Sequence, residues 1–274
     1  MKRNITVIGD GGWGTALAMV LHGNGNNVSV WSSFPDYAKQ ISATLENTLF
    51  LPGVKIPAGI RWTGDRKAAA EGADVVVIAV PTKYFTDVLK SFSGMIPQKA
   101  LLVSVAKGLD AKTHDRMTGM AEKILKLGPV AALSGPSHAE EVSRNVPTAV
   151  VIASPDESKN RTLQEIFSSR CFRVYTSTDV AGVELGGALK NIIAVAAGVS
   201  DGLGFGDNTK AALMTRGLAE ITRLGCALGA KASTFAGLSG VGDLIVTCMS
   251  RHSRNRGVGE KLGHGEKIEK IMAD

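Results

Sequence analysis

The chain predicts an α/β protein: a doubly wound parallel sheet in its N-terminal part, followed by a C-terminal all-α domain. Three observations carry this. A glycine-rich turn lies between an apolar strand pattern and a helix pattern, uninterrupted apolar runs recur with helical stretches between them, and after residue 177 only helical patterns remain. The expected domains are therefore 1–177, built to bind a dinucleotide, and 178–274, helical and carrying substrate and catalytic groups.

The first strand is Ile5-Thr6-Val7-Ile8. It runs into Gly9-Asp10-Gly11-Gly12-Trp13-Gly14, and the helix pattern Thr15-Ala16-Leu17-Ala18-Met19-Val20-Leu21 follows at once. The glycines stand in G-x-G-x-x-G register. Gly9 allows the tight turn, Gly11 lets backbone N–H groups approach a pyrophosphate, and Gly14 lets the helix pack on the strand. The anion then sits at a helix N-terminus, where unpaired donors and the helix dipole favour negative charge. A turn cluster at 23–27 and the alternating Val28-Ser29-Val30-Trp31 complete a βαβ unit, which makes this half Rossmann-like. Where an NAD-preferring fold usually places Asp or Glu for the ribose 2′-hydroxyl, Ser32 and Ser33 stand, and no Arg is there to clasp a 2′-phosphate. With no carboxylate there to repel a 2′-phosphate, NADPH is expected to be tolerated or even preferred, though the choice between NAD and NADP stays open on these residues.

Further buried strands are expected at 73–80, 100–105 and 130–134, each a continuous apolar run of the kind found in central parallel strands. Two more, at 149–153 and 171–175, flank a charged helix near 156–169. Beyond Thr178 come long helical windows rich in small residues, 186–198 and 208–228.

Composition narrows the function classes. The net charge of +6 is dispersed along the chain and aromatics make up 5%, which suits an anionic metabolite and cofactor and argues against a nucleic-acid partner. Cys171, Cys226 and Cys248 form no C-x-x-C pair, so neither a disulfide framework nor a zinc site is expected, and no metal is called for. Met1-Lys2-Arg3 leads straight into a strand, and no apolar run is read as reaching the roughly 18 residues of a membrane span. A cytoplasmic protein with no integral membrane segment is the expectation, and a homodimer a further one.

Four places invite chemistry. In 183–198, Gly186, Gly187, Ala194 and Ala197 share a helical face with Lys190. That lysine either snorkels outward or is desolvated and partnered, in which case it can move a proton. Lys107 lies beyond the carboxyl end of one strand, and Ser134-Gly135-Pro136-Ser137-His138-Ala139-Glu140 follows the next, at the edge where open α/β sheets bind ligands. His138 reads as structural rather than catalytic. In Arg251-His252-Ser253-Arg254-Asn255-Arg256, either Ser253 or Asn255 caps a helix running towards Leu262, and a cap beside an Arg makes a phosphate cradle; the other reading is a solvated basic loop. Asp243, among glycines, either accepts from a substrate hydroxyl or caps a helix.

Taken together, Gly9-x-Gly11-x-x-Gly14-Thr15-Ala16-Leu17-Ala18, Asn47-Thr48-Leu49-Phe50-Leu51-Pro52-Gly53, Val103-Ser104-Val105-Ala106-Lys107-Gly108-Leu109, Ser134-Gly135-Pro136-Ser137, Glu184-Leu185-Gly186-Gly187-Ala188-Leu189-Lys190-Asn191, Asn208-x-x-Ala211-Ala212-Leu213-Met214-Thr215-Arg216-Gly217 and Ser253-Arg254-Asn255 fall in order along nearly the whole chain. The sequence closely resembles the bacterial NAD(P)-dependent glycerol-3-phosphate dehydrogenases. The resemblance implies reversible hydride transfer between NAD(P)H and dihydroxyacetone phosphate, giving sn-glycerol 3-phosphate for glycerophospholipid synthesis. It implies Lys190 as proton donor and acceptor. It also implies Lys107, Gly135, Ser137, Asp243, Ser253, Arg254 and Asn255 as substrate ligands, and Gly12, Trp13, Ser33, Lys107, Ala139 and Arg254 as cofactor ligands beside Gly9, Gly11 and Gly14. Two departures stand out. Asp10 replaces the family's common Ala, with its carboxylate expected either to face the anion or to point to solvent. The chain also stops within a helical pattern, Lys267-Ile268-Glu269-Lys270-Ile271-Met272, where the family continues, so a truncated or divergent end is expected. Two other classes compete: a related β-hydroxyacid or nucleotide-sugar dehydrogenase, which often has Asn four residues after its lysine where this chain has Ala194, and a dinucleotide-binding regulator without turnover.

Overall fold

A computed structural model describes residues 2–272. The chain divides into two compact units, Met1–Leu133 with Ser137–Val180, and Ser134–Pro136 with Ala181–Asp274. In chain order the first holds β1 (Asn4–Ile8), α1 (Gly12–Gly23), β2 (Asn27–Trp31), α2 (Pro35–Thr44), β3 (Glu46–Asn47), β4 (Leu51–Lys55), β5 (Arg61–Thr63) and α3 (Arg66–Ala70). It continues with β6 (Val75–Ile78), α4 (Thr82–Phe92), β7 (Leu101–Ser104), α5 (Met117–Leu125), β8 (Val130–Ser134), α6 (Ala139–Val142), β9 (Thr148–Ala153), α7 (Glu157–Phe167) and β10 (Phe172–Ser177).

Eight of these strands form one sheet in the order β10-β9-β8-β7-β6-β1-β2-β5. β1 pairs in parallel with β2 on one side and β6 on the other, with Ile8 opposite Trp31 and Ile78. The chain thus winds outward in both directions from β1, and the glycine turn leaves the carboxyl end of β1 at the point where the winding reverses, the usual ligand edge of such sheets. β6 explains why its sequence has no polar alternation. Val75 and Val77 enter the core on one face with Val7, Leu17 and Phe167, while Val76 and Ile78 enter the core on the other with Phe85, Leu89 and Phe92. A strand covered on both faces has no solvent side to show.

Three features differ from the sequence expectation. Helix α1 begins at Gly12 rather than Thr15, because the backbone is already helical once past the extended Gly11. The edge strand β5 and the β3–β4 hairpin had no counterpart; they have three, two and five residues, too short for a periodic signal.

The second unit is helical: α8 (Val180–Gly202), α9 (Asp207–Ala227), α10 (Ala232–Phe235), a π-helical turn at Leu238–Gly242, α11 (Asp243–Met249), α12 (Arg254–Gly263) and α13 (Ile268–Ile271). Glycine sets its packing. A Cβ on Gly198 would strike the Arg256 carbonyl oxygen, and one on Gly259 would strike that of Val195, so α8 and α12 touch backbone to backbone. Gly186 meets the Ser239 carbonyl in the same way. Ala194, Ala197, Leu244 and Cys248 form a small apolar core beside these contacts.

The expectation that no apolar run reaches membrane length is corrected. α8 has 23 residues and a mean hydropathy of 1.5, long and apolar enough by length and composition to cross a bilayer. Glu184, Lys190 and Asp201 lie in α8, and a helix of this length carries them without losing its apolar mean. Half of the window is buried within the protein, as in a core helix.

Candidate active site

The nucleotide end of the first unit is built from β1, α1 and the hairpin. Gly9 takes φ +117°, a conformation that favours glycine, and a Cβ there would lie 2.6 Å from the Ala79 carbonyl oxygen. A Cβ on Gly14 would press on the Gly9 carbonyl and approach Ala79 Cβ at 3.1 Å, so this glycine sets how closely α1 lies on the sheet. Over Gly11, by contrast, the space is open. Helix α1 has no side-chain cap and no acidic residue in its first turn. Its first N–H groups have no intrahelical acceptor, and such a start fits a pyrophosphate. Ala139, first residue of α6, borders the same turn, its Cβ 3.6 Å from where one on Gly12 would be. Trp13 is half-buried against Phe172, with ring centroids 6.3 Å apart, and its indole N–H is buried with no acceptor among the described residues. Ser33 is exposed just past β2.

The turn is held by Asn47, the first residue of the Asn47–Gly53 motif. Asn47 is fully buried; its Nδ2 donates to the Asp10 carbonyl at 2.7 Å and to Thr15 Oγ1 at 2.8 Å, while its Oδ1 accepts from Tyr37 at 2.7 Å and from the Phe50 N–H at 3.1 Å. The solvent-facing alternative for Asp10 is corrected. Its carboxylate is buried, 8% exposed, and Oδ2 accepts from the Ser32 hydroxyl at 2.6 Å. A short side chain at this turn reaches the end of the neighbouring strand more readily than solvent. Further along the same sheet edge, Lys107 Nζ donates to Ser137 Oγ at 3.4 Å, bringing together two of the substrate candidates.

In the second unit the decisive group is Lys190. It is 5% exposed, buried with Gly186, Gly187, Ala194 and Ala197, so the outward-snorkelling alternative is ruled out. Its ammonium donates to Asp243 Oδ1 in a short contact and to Thr247 Oγ1 at 2.6 Å. Asp243 is the first residue of α11, whose N-cap is Gly242, and its carboxylate accepts from the Lys190 ammonium. Burying an unpaired ammonium is prohibitive; here a carboxylate at 1% exposure compensates the charge and a hydroxyl fixes its direction. Thr247 was missed in the sequence, though its signal is there, one helical turn beyond Asp243. Gly135, at φ +135°, belongs to this unit, where Pro136 faces Gly242.

At α12 the cap is Ser253, whose Oγ accepts from the Arg256 N–H at 3.2 Å. The basic cluster is not uniformly solvated. Arg256 is pinned by Asp201 at 2.7 Å and reaches Glu260 at 3.1 Å, while Lys210 from α9 joins Asp201 at 2.5 Å. Arg254, exposed, and Asn255, half-buried, stand at the helix start, where first-turn N–H groups have no intrahelical acceptor.

Two family models match this chain: the NAD-dependent glycerol-3-phosphate dehydrogenase N-terminus over residues 4–160 and the C-terminus of the same family over 179–274. The chain belongs to this dehydrogenase family. Within it, the chain is 51% identical to glycerol-3-phosphate dehydrogenase [NAD(P)+] of Pelotomaculum thermopropionicum, over all of this chain and 79% of that one. It is 52% identical to the Geobacillus kaustophilus protein of the same name, over 98% of this chain and 79% of that one. The crystal structure of glycerol-3-phosphate dehydrogenase from Coxiella burnetii superposes with a TM-score of 0.95 at 40% identity, covering 99% of this chain and 83% of that one.

Proposed function

We propose that this glycerol-3-phosphate dehydrogenase family member interconverts dihydroxyacetone phosphate and sn-glycerol 3-phosphate with NAD(H) or NADP(H), and that Lys190 is its proton donor and acceptor. The observation that carries the reading is the buried Lys190 ammonium, oriented by Asp243 and Thr247 on a face of small residues. The bound dinucleotide supplies the hydride for C2 of the ketone or receives it in reverse. As negative charge grows on the carbonyl oxygen, an ammonium aimed at that oxygen stabilises it and then gives it a proton.

Within the same reading, Gly9, Gly11, Gly12, Trp13, Gly14, Ser33 and Ala139 hold the dinucleotide. Lys107, Gly135, Ser137, Asp243, Ser253 and Asn255 bind substrate. Lys107 and Arg254 serve both; the Arg254 guanidinium and the N–H groups of the capped α12 start grip phosphate oxygens, which lowers the entropic part of the barrier. The three cysteines are free thiols, in keeping with a reducing cytoplasm. Exposed Ile192, Leu224, Leu228 and Met249 supply apolar surface for a homodimer, which sedimentation tests directly.

The deciding experiment mixes the protein with reduced cofactor and either dihydroxyacetone phosphate or a β-ketoacid. Loss of nicotinamide absorbance with the phosphate ester is expected. Loss with the β-ketoacid alone, or cofactor binding without turnover, overturns the reading.

A further inference from the structure

The carboxylate that a dinucleotide fold usually carries at the end of its second strand is missing here, and Ser32 and Ser33 occupy the place. The structure returns a carboxylate to it from elsewhere. Ile8 and Trp31 are paired neighbours at the ends of β1 and β2, so the residues just beyond them lie side by side. Asp10 Oδ2 takes the Ser32 hydroxyl at 2.6 Å, Ser32 N–H is tied to the Thr63 carbonyl at 3.0 Å, and the Asp10 carbonyl is tied to Asn47 at 2.7 Å. The carboxylate is therefore fixed at both its own backbone and its partner. Among the described residues, Asp10 Oδ1 accepts no hydrogen bond, while Oδ2 is occupied.

We propose that Asp10, held by Ser32, makes this chain select NAD(H) over NADP(H), by offering Oδ1 to a ribose 2′-hydroxyl and opposing a 2′-phosphate at the same place. The charge around it points the same way. Residues 32–36, Ser-Ser-Phe-Pro-Asp, contain no Lys or Arg and add a second carboxylate, and Lys39, the next cation along the chain, is paired with Asp36 at 2.9 Å. Arg66, at the start of α3 beyond the neighbouring β5, is the nearest competing cation by topology, but it is exposed and so screened by solvent. A buried carboxylate beside a phosphate dianion repels it through a poorly screening medium. The 2′-hydroxyl, a donor, gains what the phosphate loses.

This rests on the dinucleotide lying over Gly9–Gly14 as proposed above. The test is equilibrium titration of NADH and NADPH separately, read by quenching of tryptophan fluorescence, for the native protein and for Asp10→Asn and Asp10→Ala. NADH is expected to bind at least about tenfold more tightly than NADPH to the native protein, and the ratio to shrink by about tenfold in both variants, mainly through tighter NADPH binding. Equal affinities in the native protein, or an unchanged ratio in a folded variant, overturn the proposal. Should neither variant fold, the native ratio still decides it. Binding of neither nucleotide overturns the placement of the cofactor and this inference with it.

Discussion

The Thr247 hydroxyl accepts a hydrogen bond from the Lys190 ammonium at 2.6 Å and donates its own to the Asp243 main-chain carbonyl at 2.6 Å. The hydroxyl is thereby forced to present a lone pair to the lysine. Thr247→Val keeps the shape and loses this, so kcat is expected to fall roughly tenfold to a hundredfold, the worth of one hydrogen bond to a charged group. The KM for dihydroxyacetone phosphate should change little, and Thr247→Ser should restore most of the rate. Steady-state kinetics of the three forms check this.

Removing the ammonium itself is more severe. Lys190→Ala should lower turnover by at least about a hundredfold while leaving the NADH dissociation constant nearly unchanged. It also leaves Asp243 buried without its counter-charge, at a cost of about 3–5 kcal/mol in stability. Steady-state kinetics measures the turnover, fluorescence titration the NADH affinity and urea unfolding the stability; near-normal turnover excludes the proposed role.

Arg254 and Arg256 should separate cleanly. Arg254 is exposed at the start of α12, so Arg254→Ala should raise KM for the phosphate ester by roughly tenfold to a hundredfold with little change in melting temperature. Arg256 is spent on Asp201 and Glu260, so Arg256→Ala should instead lower the melting temperature. An unchanged KM in Arg254→Ala would return that residue to a plain surface role.

Helix packing gives a control across one helix pair. Gly198→Ala puts a methyl group onto the Arg256 carbonyl and is expected to destabilise by at least about 1–3 kcal/mol. At Gly257, on α12, a Cβ meets open space, and Gly257→Ala should be neutral or stabilising by up to about 1 kcal/mol. Chemical denaturation of the pair distinguishes steric conflict from helix propensity.

Burial pushes the Cys248 thiol up to about 11, against the smaller pull of the Lys190 charge. The thiol therefore stays protonated at pH 8, and an alkylating reagent should modify exposed Cys226 readily but Cys248 only after unfolding. In the unfolded chain the thiol ionises near its ordinary value of 9.0. Its neutral burial thus favours the fold fully below that pH, and this contribution is lost as pH rises from 9 through 11. Cys248→Ala should flatten stability over that alkaline window.

The parts of this protein legible from its sequence are those with a period or a steric demand. Val75–Ile78 had to be a doubly covered strand because nothing in it is polar, and Gly9 marked a turn because few other residues take its φ. Lys190 was conspicuous because a charge in an apolar helix must find partners. What stayed hidden was tertiary. Asn47 gives no local sign that its four hydrogen bonds tie α2 and the hairpin to the glycine turn, and neither alternative read for Asp10 included Ser32, more than twenty residues away. Thr247 was readable in principle, one turn after Asp243, but only once Lys190 was known to face that helix.

The glycine contacts between α8 and α12 leave no side chain between the two backbones. The helix that carries the amine and the helix that carries the guanidinium are therefore spaced by the main chain itself, as rigidly as two marks on a ruler. Trimming or enlarging side chains along that seam cannot retune the enzyme for a longer or shorter phosphate ester. Variants with altered chain-length preference should instead be found in the loop around Gly135, which belongs to the same unit.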